Sequence, residues 1–263
     1  MDRISTGQHA QHLSDTPTCA ICRNGDALDF DFSYAFQPII DIRARTVFAH
    51  EALVRGPHGE GAKFVLDQVT AANRYRFDQA CRVKAIKTAA RLGIASKVSI
   101  NFLPNAIYRP EVCISTTLQA AKEHGFPVER IVFETVEGEQ VEDGKWLAEV
   151  FREYQRIGFM TAIDDFGAGY AGLNLLADFQ PDIIKLDMEL IRDIASRKTS
   201  QAIVRGVAGI CRELGIRLIA EGVETLDEYL CLQDIGVELM QGYLLCKPLL
   251  ENSLQDAEAV LPQ

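Results

Sequence analysis

The sequence has no run of 18 apolar residues, so it predicts no segment that could cross a bilayer. Its first 15 residues are polar and lack the apolar centre of a secretion signal. These two absences make the cytoplasm the expected location. After residue 30 the sequence also lacks a linker rich in Pro, Gly or Ser, low-complexity tracts and short repeats, which favours one domain.

Positive charge is in the minority, because 27 Lys and Arg residues face 37 Asp and Glu residues and give a net charge of -10. This balance argues against nonspecific binding to DNA or to an anionic membrane surface. A nucleotide ligand is still compatible with it, since a divalent cation can reverse the local charge. With 263 residues, 48% of them hydrophobic, the chain can form a sizeable core.

The seven cysteines are an odd number, which does not suggest a complete disulfide framework. Cys19 and Cys22 form a Cys-x-x-Cys pair that follows His9 and His12, a set that could bind zinc, although the spacing matches no standard zinc finger. A thiol switch or a plain turn is the alternative. Residues 1–30 are expected to form a partly disordered leader. We expect the other five cysteines to be small buried residues: Cys81, Cys113, Cys211, Cys231 and Cys246.

From residue 31 onwards, short apolar runs alternate with amphipathic helical segments. The first two runs, residues 32–40 and 47–54, are joined like a hairpin. The later runs end near Asn101, Glu134, Asp165, Lys185, Glu221 and Gln241. Helices are predicted over residues 75–92, 116–124, 146–157 and 201–214, and Thr225 begins a capping box. About eight strands alternating with helices predict a parallel α/β fold, and the number of strands favours a closed barrel.

The polar residues at the ends of these strands are the main functional signal. In a (β/α)8 barrel, the carboxyl ends of the strands meet at one mouth. The side chains expected there are Glu51, Asn101, Glu134, Asp164, Asp165, Lys185, Glu221 and Gln241. His50, next to Glu51, is expected on the opposite face of its strand, where it would pack and bind no ligand.

These side chains offer oxygen ligands without His or Cys, a set that favours Mg²⁺ or Mn²⁺. The adjacent Asp164 and Asp165 are expected to point to different sides and so to straddle two ions. Two ions at about 3.5–4 Å are the usual arrangement for in-line hydrolysis of a phosphodiester. Lys185 could then hold the attacking water or a phosphate oxygen. The sequence therefore predicts a two-metal hydrolase.

Eight ordered motifs make the chain similar to the EAL-domain family, the bacterial cyclic di-GMP phosphodiesterases. They cover residues 33–250 and include Glu51-Ala52-Leu53, Asp164-Asp165-Phe166-Gly167 and Glu221-Gly222-Val223-Glu224-Thr225. The resemblance implies a TIM-type (β/α)8 barrel with an antiparallel first strand, over residues 31–263. It also implies a homodimer that hydrolyses cyclic di-GMP to linear pGpG with Mg²⁺ or Mn²⁺.

The resemblance also implies a role for each matching residue. Glu51, Asn101, Glu134 and Asp164 would bind one metal, and Asp164 would bridge to a second metal that Asp165 and Glu221 serve. Lys185 would position the water and Glu221 would be the base, with Asp165 as the third catalytic residue. Contacts to the substrate or its water network would come from Gln37, Leu53, Arg55 and Gln241. Glu137 would stabilise the loop after Asp165.

Two departures from the family pattern concern hydroxyl groups near the site. Leu103 stands where a Ser or Thr is common, and Ala168, Ala171 and Gly172 replace the usual Thr and Ser of the loop after the Asp pair. We expect these changes to affect the rate more than the chemistry. A noncatalytic cyclic di-GMP receptor that acts through a partner protein is the alternative function. An unrelated metal-dependent barrel enzyme would fit the fold but not the order of the motifs.

Overall fold

A computed structural model describes residues 28–107, 109–136, 144–168 and 172–251. The predictions for His9, His12, Cys19 and Cys22, for Glu137, and for residues 169–171 lie outside these ranges. Of the helices within them, none combines the length and apolar composition that crossing a membrane requires.

The described strands form one closed sheet. Their bounds are β1 Ser33–Asp41, β2 Thr46–Arg55, β3 Lys97–Asn101, β4 Ile131–Val136, β5 Met160–Phe166, β6 Ile183–Leu186, β7 Arg217–Ala220, β8 Leu239–Met240 and β9 Leu249–Leu250. Strands β2 to β8 are parallel neighbours in sequence order. Strand β1 lies antiparallel between β2 and β8 and closes the barrel. The predicted barrel with an antiparallel first strand is confirmed.

Helices cover the outside of the barrel between successive strands. Their bounds are α1 Ala62–Leu66, α2 Arg74–Arg91, α3 Pro110–Cys113, α4 Ser115–His124, α5 Gly144–Ile157, α6 Gly172–Asp178, α7 Met188–Ile191, α8 Lys198–Leu214 and α9 Leu226–Ile235. Thr225 and Glu228 form the predicted capping box at the start of α9. The sequence did not predict α3, α7 or β9, each of which has two to four residues.

The barrel interior has an apolar layer at its amino-terminal end. Its members are Ile39, Ala49, Val132, Ala162, Ile183, Ile219 and Leu239. Side chains on a strand alternate between its two faces, so the next inward position lies two residues further on. That step leads from this layer to Glu51, Glu134, Asp164, Lys185, Glu221 and Gln241, and, in the reverse direction along the antiparallel β1, to Gln37. The apolar layer thus forms the floor beneath a polar layer.

The space between barrel and helices holds most of the aromatic and aliphatic core, in which Phe133, Phe151 and Tyr154 are fully buried. Cys81, Cys113 and Cys211 are buried there as expected, whereas Cys231 and Cys246 are only half-buried. Phe64 and Leu66 of α1 are about half exposed, because this short helix does not bury a full apolar face.

Candidate active site

Glu51 and Glu134 form the buried base of the mouth of the barrel. Ser99 Oγ donates to Glu134 Oε2 at 2.6 Å, and Asn101 Nδ2 donates to Glu134 Oε1 at 2.8 Å. The same Asn101 nitrogen lies 3.4 Å from Glu51 Oε1, and Gln241 Nε2 donates to Glu51 Oε2 at 2.7 Å. Each carboxylate therefore accepts hydrogen bonds from side chains of other parts of the barrel mouth.

Lys185 lies at the centre of the cluster, with its side chain 1% exposed. Its Nζ is 2.7 Å from Glu221 Oε1 and 3.1 Å from Asp164 Oδ1. It is also 3.3 Å from Glu134 Oε2 and 3.5 Å from Glu51 Oε2. One ammonium group thus faces four carboxylates, which leaves the cluster with an excess of negative charge.

Asp164 and Asp165 do not diverge as the sequence predicted. Asp165 has a φ of +52°, and the pairing of β5 with β6 is irregular between Ile163 and Phe166. This left-handed backbone breaks the alternation of a regular strand. Carboxylate oxygens of Asp164, Asp165 and Glu221 consequently lie within 4.8 Å of one another. The expectation that the two aspartates point to different sides is wrong, and both reach the same cluster.

The environment of these side chains changes their affinity for protons. Burial, reinforced by Glu51 and Asp164, raises the pKa of Glu134 well above its usual value despite Lys185. Burial likewise raises the pKa of Glu221. Burial alone would lower the pKa of Lys185, but the surrounding carboxylates raise it far above its usual value. Desolvation and the charge of Asp164 raise the pKa of Asp165 to about 6.

The donor set fits divalent cations. Two groups of three carboxylates each bring one oxygen per residue to within 4.8 Å of the others: Glu51, Glu134 and Asp164, and Asp164, Asp165 and Glu221. Asp164 belongs to both groups, as expected of a bridging ligand. Carboxylate and amide oxygens are the ligands that Mg²⁺ and Mn²⁺ prefer.

The residues predicted to contact the substrate differ in how deeply they are buried. Gln37 is buried, where its Nε2 donates to the Cys246 carbonyl at 3.0 Å and its Oε1 accepts from Gln241 Nε2 at 3.2 Å. Leu53 and Arg55 are half-buried and line a cavity of about 290 Å³ that also reaches Asn101. Of these residues, Leu53 and Arg55 are therefore the ones open to a ligand.

Three polar residues near the mouth of the barrel have structural roles. Asp187 caps α7 by accepting from the Glu189 N–H at 2.9 Å. Glu224 is exposed, and its N–H donates to Glu228 Oε2 at 2.9 Å. His50 Nδ1 lies 2.8 Å from Ser96 Oγ, and burial lowers the pKa of the imidazole to about 4. His50 is not part of the carboxylate cluster.

Sequence reasoning missed Ser99 and the support of the Asn101 loop. Ser99 lies two residues before Asn101, so strand alternation could have placed it beside Glu134. Asp78 and Arg82 form a fully buried ion pair at 2.7 Å. Asp78 Oδ1 accepts from the N–H of Leu103 at 3.0 Å, which fixes the chain just after Asn101. Two charged residues in a helix gave no sign of such burial.

The fold and the site define a closed α/β barrel whose mouth carries two groups of three carboxylates, with Asp164 common to both. A family model for the EAL domain matches residues 26–248. The chain therefore belongs to the EAL domain family, as the motifs had indicated. Members of this family use divalent metals.

Curated relatives include cyclic di-GMP phosphodiesterases. The chain is 31% identical over 237 residues to one of Pseudomonas aeruginosa, with 86% of this chain and 40% of that protein covered. It is 34% identical over 215 residues to the blue light- and temperature-regulated antirepressor BluF of Escherichia coli, with 81% and 53% covered. The chain thus spans about half of these relatives' length, or less.

Solved structures of relatives contain the cyclic dinucleotide. A standalone versatile EAL protein from Vibrio cholerae in its c-di-GMP-bound form is 54% identical, with a TM-score of 0.83, and 86% of this chain and 95% of that one are covered. A manganese and cyclic di-GMP complex of BlrP1 from Klebsiella pneumoniae is 36% identical, with a TM-score of 0.79 and coverage of 86% and 58%.

Proposed function

We propose that this chain is a metal-dependent phosphodiesterase that hydrolyses cyclic di-GMP to linear pGpG. The observation that carries the proposal is that two groups of three carboxylates share Asp164 and lie around Lys185. The named phosphodiesterase relatives and the ligands of the similar solved structures support the choice of substrate.

The proposed metal ligands divide between two Mg²⁺ or Mn²⁺ ions. Glu51, Asn101, Glu134 and Asp164 would hold the first, and Asp164, Asp165 and Glu221 the second. When bound, such ions neutralise the charge that develops on the phosphoryl group and make water more acidic. Ser99 and Gln241 would keep Glu134 and Glu51 oriented through the hydrogen bonds that they donate.

Lys185 and Glu221 are the proposed proton-handling pair. Their 2.7 Å contact places an ammonium group beside a carboxylate whose pKa is raised by burial. Lys185 would donate to the attacking water or to a phosphate oxygen, and Glu221 would accept a proton from that water. Asp165 would assist from the open side of the cluster, where it is half-buried.

Substrate binding is proposed for the half-buried rim above these groups. The guanidinium of Arg55 suits a phosphate, because its N–H groups make charge-assisted hydrogen bonds. Leu53 would offer an apolar surface beside it. Gln37 and Gln241 are bonded to each other, so any substrate contact from Gln37 requires it to exchange one of its two present hydrogen bonds.

The direct test is incubation with cyclic di-GMP and either Mg²⁺ or Mn²⁺ at alkaline pH, with chromatographic detection of pGpG. We expect product with at least one ion, and an inactive Glu51→Ala variant. The matched control is Glu213→Ala, which removes an exposed carboxylate of α8 and should leave turnover unchanged. Absence of product from the wild-type protein with both ions would refute the proposal.

A noncatalytic cyclic di-GMP receptor is the second candidate. The similarity to an antirepressor, a name that denotes action on another protein, favours it. Equilibrium dialysis would detect tight cyclic di-GMP binding under saturating metal, and persistence of the intact dinucleotide over hours would select this candidate. The complete carboxylate set favours the enzyme, because a receptor needs no such cluster.

We also propose that the protein is a cytoplasmic homodimer whose loop after Asp165 depends on Glu137. Residues 31–263 would be the phosphodiesterase domain and residues 1–30 a leader. Sedimentation analysis should give twice the mass of 29.2 kDa, and Glu137→Ala should lower turnover without changing that mass. A monomer at micromolar concentration would contradict the dimer.

A further inference from the structure

A second, chemically different cleft opens at the opposite end of the barrel. It has a volume of about 600 Å³ and is lined by Phe48, Lys97, Arg212 and Arg217 among others. Lys97 and Arg217 are the first residues of β3 and β7, so they lie at the amino ends of strands that carry Asn101 and lead to Glu221 at the mouth. The apolar floor of the barrel separates this cleft from the carboxylates.

The local backbone explains how an aromatic ring comes to lie in this cleft. Ile39 pairs with Ala49 and Ile40 with Val47, so Phe48 is an extra residue on β2. Such a bulge redirects a side chain out of the regular alternation. Phe48 consequently packs against the apolar floor. Lys97 Nζ lies 4.4 Å from the centre of its ring and the Arg217 guanidinium carbon 5.1 Å from it.

In the described part of the chain, the cations that line this cleft form no ion pair with a carboxylate. They are Lys97, Arg212 and Arg217, and the same holds for Arg130, whose charge acts on Lys97. Burial, followed by the positive charges of Arg217 and Arg130, lowers the pKa of Lys97. These like charges are therefore close enough to repel one another. An unbalanced positive cluster is unexpected in a chain with a net charge of -10.

Two carboxylates also line the cleft, but both have other partners. Asp41 accepts from the backbone N–H groups of Arg43 at 3.0 Å and Ala44 at 2.7 Å. Glu238 accepts from Arg43 Nη1 at 3.0 Å. Neither forms an ion pair with the cations that face Phe48. Because Arg43 balances the charge of Glu238, the three cations that line the cleft outnumber the one remaining carboxylate, Asp41.

We propose that this cleft binds a small phosphate-bearing anion, such as pyrophosphate or the phosphates of a nucleotide. Guanidinium groups bind phosphate oxygens with paired hydrogen bonds, and a lysine adds a point charge. The ring of Phe48 holds Lys97 and Arg217 in place through cation–π contacts. An anion bound there would relieve the repulsion between the cations. The cleft lies across the barrel from the catalytic mouth, so binding would not compete with the substrate.

The test measures anion binding in the absence of divalent metal and of cyclic di-GMP. The full chain in metal-free, low-salt buffer is titrated calorimetrically with sodium pyrophosphate and, separately, with GTP. We expect one site, with affinity reduced at least tenfold by Lys97→Gln and by Arg217→Gln. Arg217→Lys should reduce it less, because the lysine keeps the charge but loses the paired hydrogen bonds. Circular dichroism verifies that each variant is folded. Equal affinity for the two anions identifies phosphate alone as the ligand, and tighter GTP binding shows that the nucleoside contributes.

Two control variants distinguish anion binding at this cleft from a general effect of charge and from binding at the mouth. Lys122→Gln removes an exposed lysine of α4 and should leave binding unchanged. Arg55→Gln removes the cation at the rim of the mouth and should do the same. The proposal is overturned if Lys122→Gln weakens anion binding as much as Lys97→Gln does. It is also overturned if Arg55→Gln abolishes anion binding and Lys97→Gln does not, or if the wild-type protein binds no pyrophosphate at millimolar concentration. None of these outcomes depends on whether the protein hydrolyses cyclic di-GMP.

Discussion

Lys185 is the residue on which the charge balance of the mouth depends. Four carboxylates lie within 3.5 Å of its ammonium group, which is almost fully buried. Removing one partner from a buried ionic group leaves an uncompensated charge, at a typical cost of about 3–5 kcal/mol. A divalent cation in the same cluster would supply the compensating charge by another route.

Lys185→Met should therefore lower the free energy of unfolding by about 3–5 kcal/mol in metal-free buffer at neutral pH. Saturating Mn²⁺ should restore a large part of that loss, because the ion neutralises the carboxylates that the lysine no longer faces. Urea denaturation with and without Mn²⁺ measures both quantities. A loss of stability that Mn²⁺ leaves unchanged would show that the cluster does not bind the ion.

At this scale the sequence revealed which residues form the mouth but not their geometry. Polar side chains at the ends of apolar runs predicted the location of Glu134, Lys185 and Glu221, because parallel strands bring their ends together. The left-handed backbone of Asp165 could not be predicted, since Asp adopts that conformation only in some contexts. Ser99 was detectable by strand alternation and was missed.

Among the elements, the loop between β7 and α9 is held by one buried carboxylate, that of Glu228. Glu228 Oε1 accepts from the Asp193 N–H, and its Oε2 accepts from the N–H groups of Glu224 and Thr225, at 2.9–3.0 Å. This one carboxylate thus ties the segment that follows Glu221 to the start of α9 and to the chain after α7. Burial opposes ionisation of Glu228, but the three N–H groups outweigh it and lower the pKa below 4.5.

Glu228→Gln should destabilise the protein by roughly 1–3 kcal/mol at pH 7, since an amide cannot accept all three hydrogen bonds. A lowered pKa means that the unfolded state takes up the proton first. The contribution of the carboxylate is therefore fully present above pH 4.5 and declines as the pH falls below it. Unfolding curves for both proteins between pH 7 and pH 3 should converge at low pH. A difference that is independent of pH would contradict this assignment.

The turn after β8 depends on the absence of a side chain at Gly242. A Cβ atom there would lie 2.1 Å from the Val223 carbonyl oxygen and 2.3 Å from its nitrogen, both of which are backbone atoms. The same turn presents Gln241 to Glu51. The lack of a side chain at Gly242 therefore lets the loops after β7 and β8 pack closely and keeps Gln241 beside Glu51, a proposed metal ligand.

Gly242→Ala should destabilise the protein by roughly 1–3 kcal/mol, the usual cost of overpacking, and should weaken metal affinity by displacing Gln241. Gly209→Ala is the matched control, because Gly209 lies within α8 and a Cβ added there would meet nothing within 4 Å apart from the neighbouring residues and backbone of its own helix. That control should stabilise the protein by about 0.5–1 kcal/mol. Thermal unfolding and Mn²⁺ titration measure the two effects, and similar behaviour of both variants would contradict the role of Gly242.

The sequence predicted the longer helices and strands more accurately than the short ones. Strands and helices with clear periodicity were predicted to within a few residues, including β4, α2 and α8. The four-residue helices α3 and α7 and the two-residue β9 were not, because tertiary contacts rather than local propensity stabilise such short elements. Strand β9, for example, forms by pairing Leu249 and Leu250 with Phe36 and Ala35.

For the molecule as a whole, metal binding should raise the thermal stability of the protein. A ligand at 100 times its dissociation constant adds about 2.7 kcal/mol, and a domain of this size gains roughly 2–4 °C per kcal/mol. Saturating Mn²⁺ or Mg²⁺ should therefore raise Tm by about 5–11 °C, and a chelator should reverse the change. Scanning calorimetry of the wild-type protein and Glu51→Ala checks this. An equal rise in the variant would place the ion elsewhere.

The closure of the barrel by β1 has a consequence during synthesis. Glu51 on the second strand and Gln241 after the eighth are hydrogen-bonded although 190 residues separate them. At about 5–20 residues per second, a ribosome needs roughly 10–40 s to add that much chain. During this time β1 lacks β8, its second neighbour in the sheet, and the polar layer at the mouth lacks Gln241. The mouth is therefore completed only when translation has passed the eighth strand, and a nascent chain that stops earlier has no intact cluster.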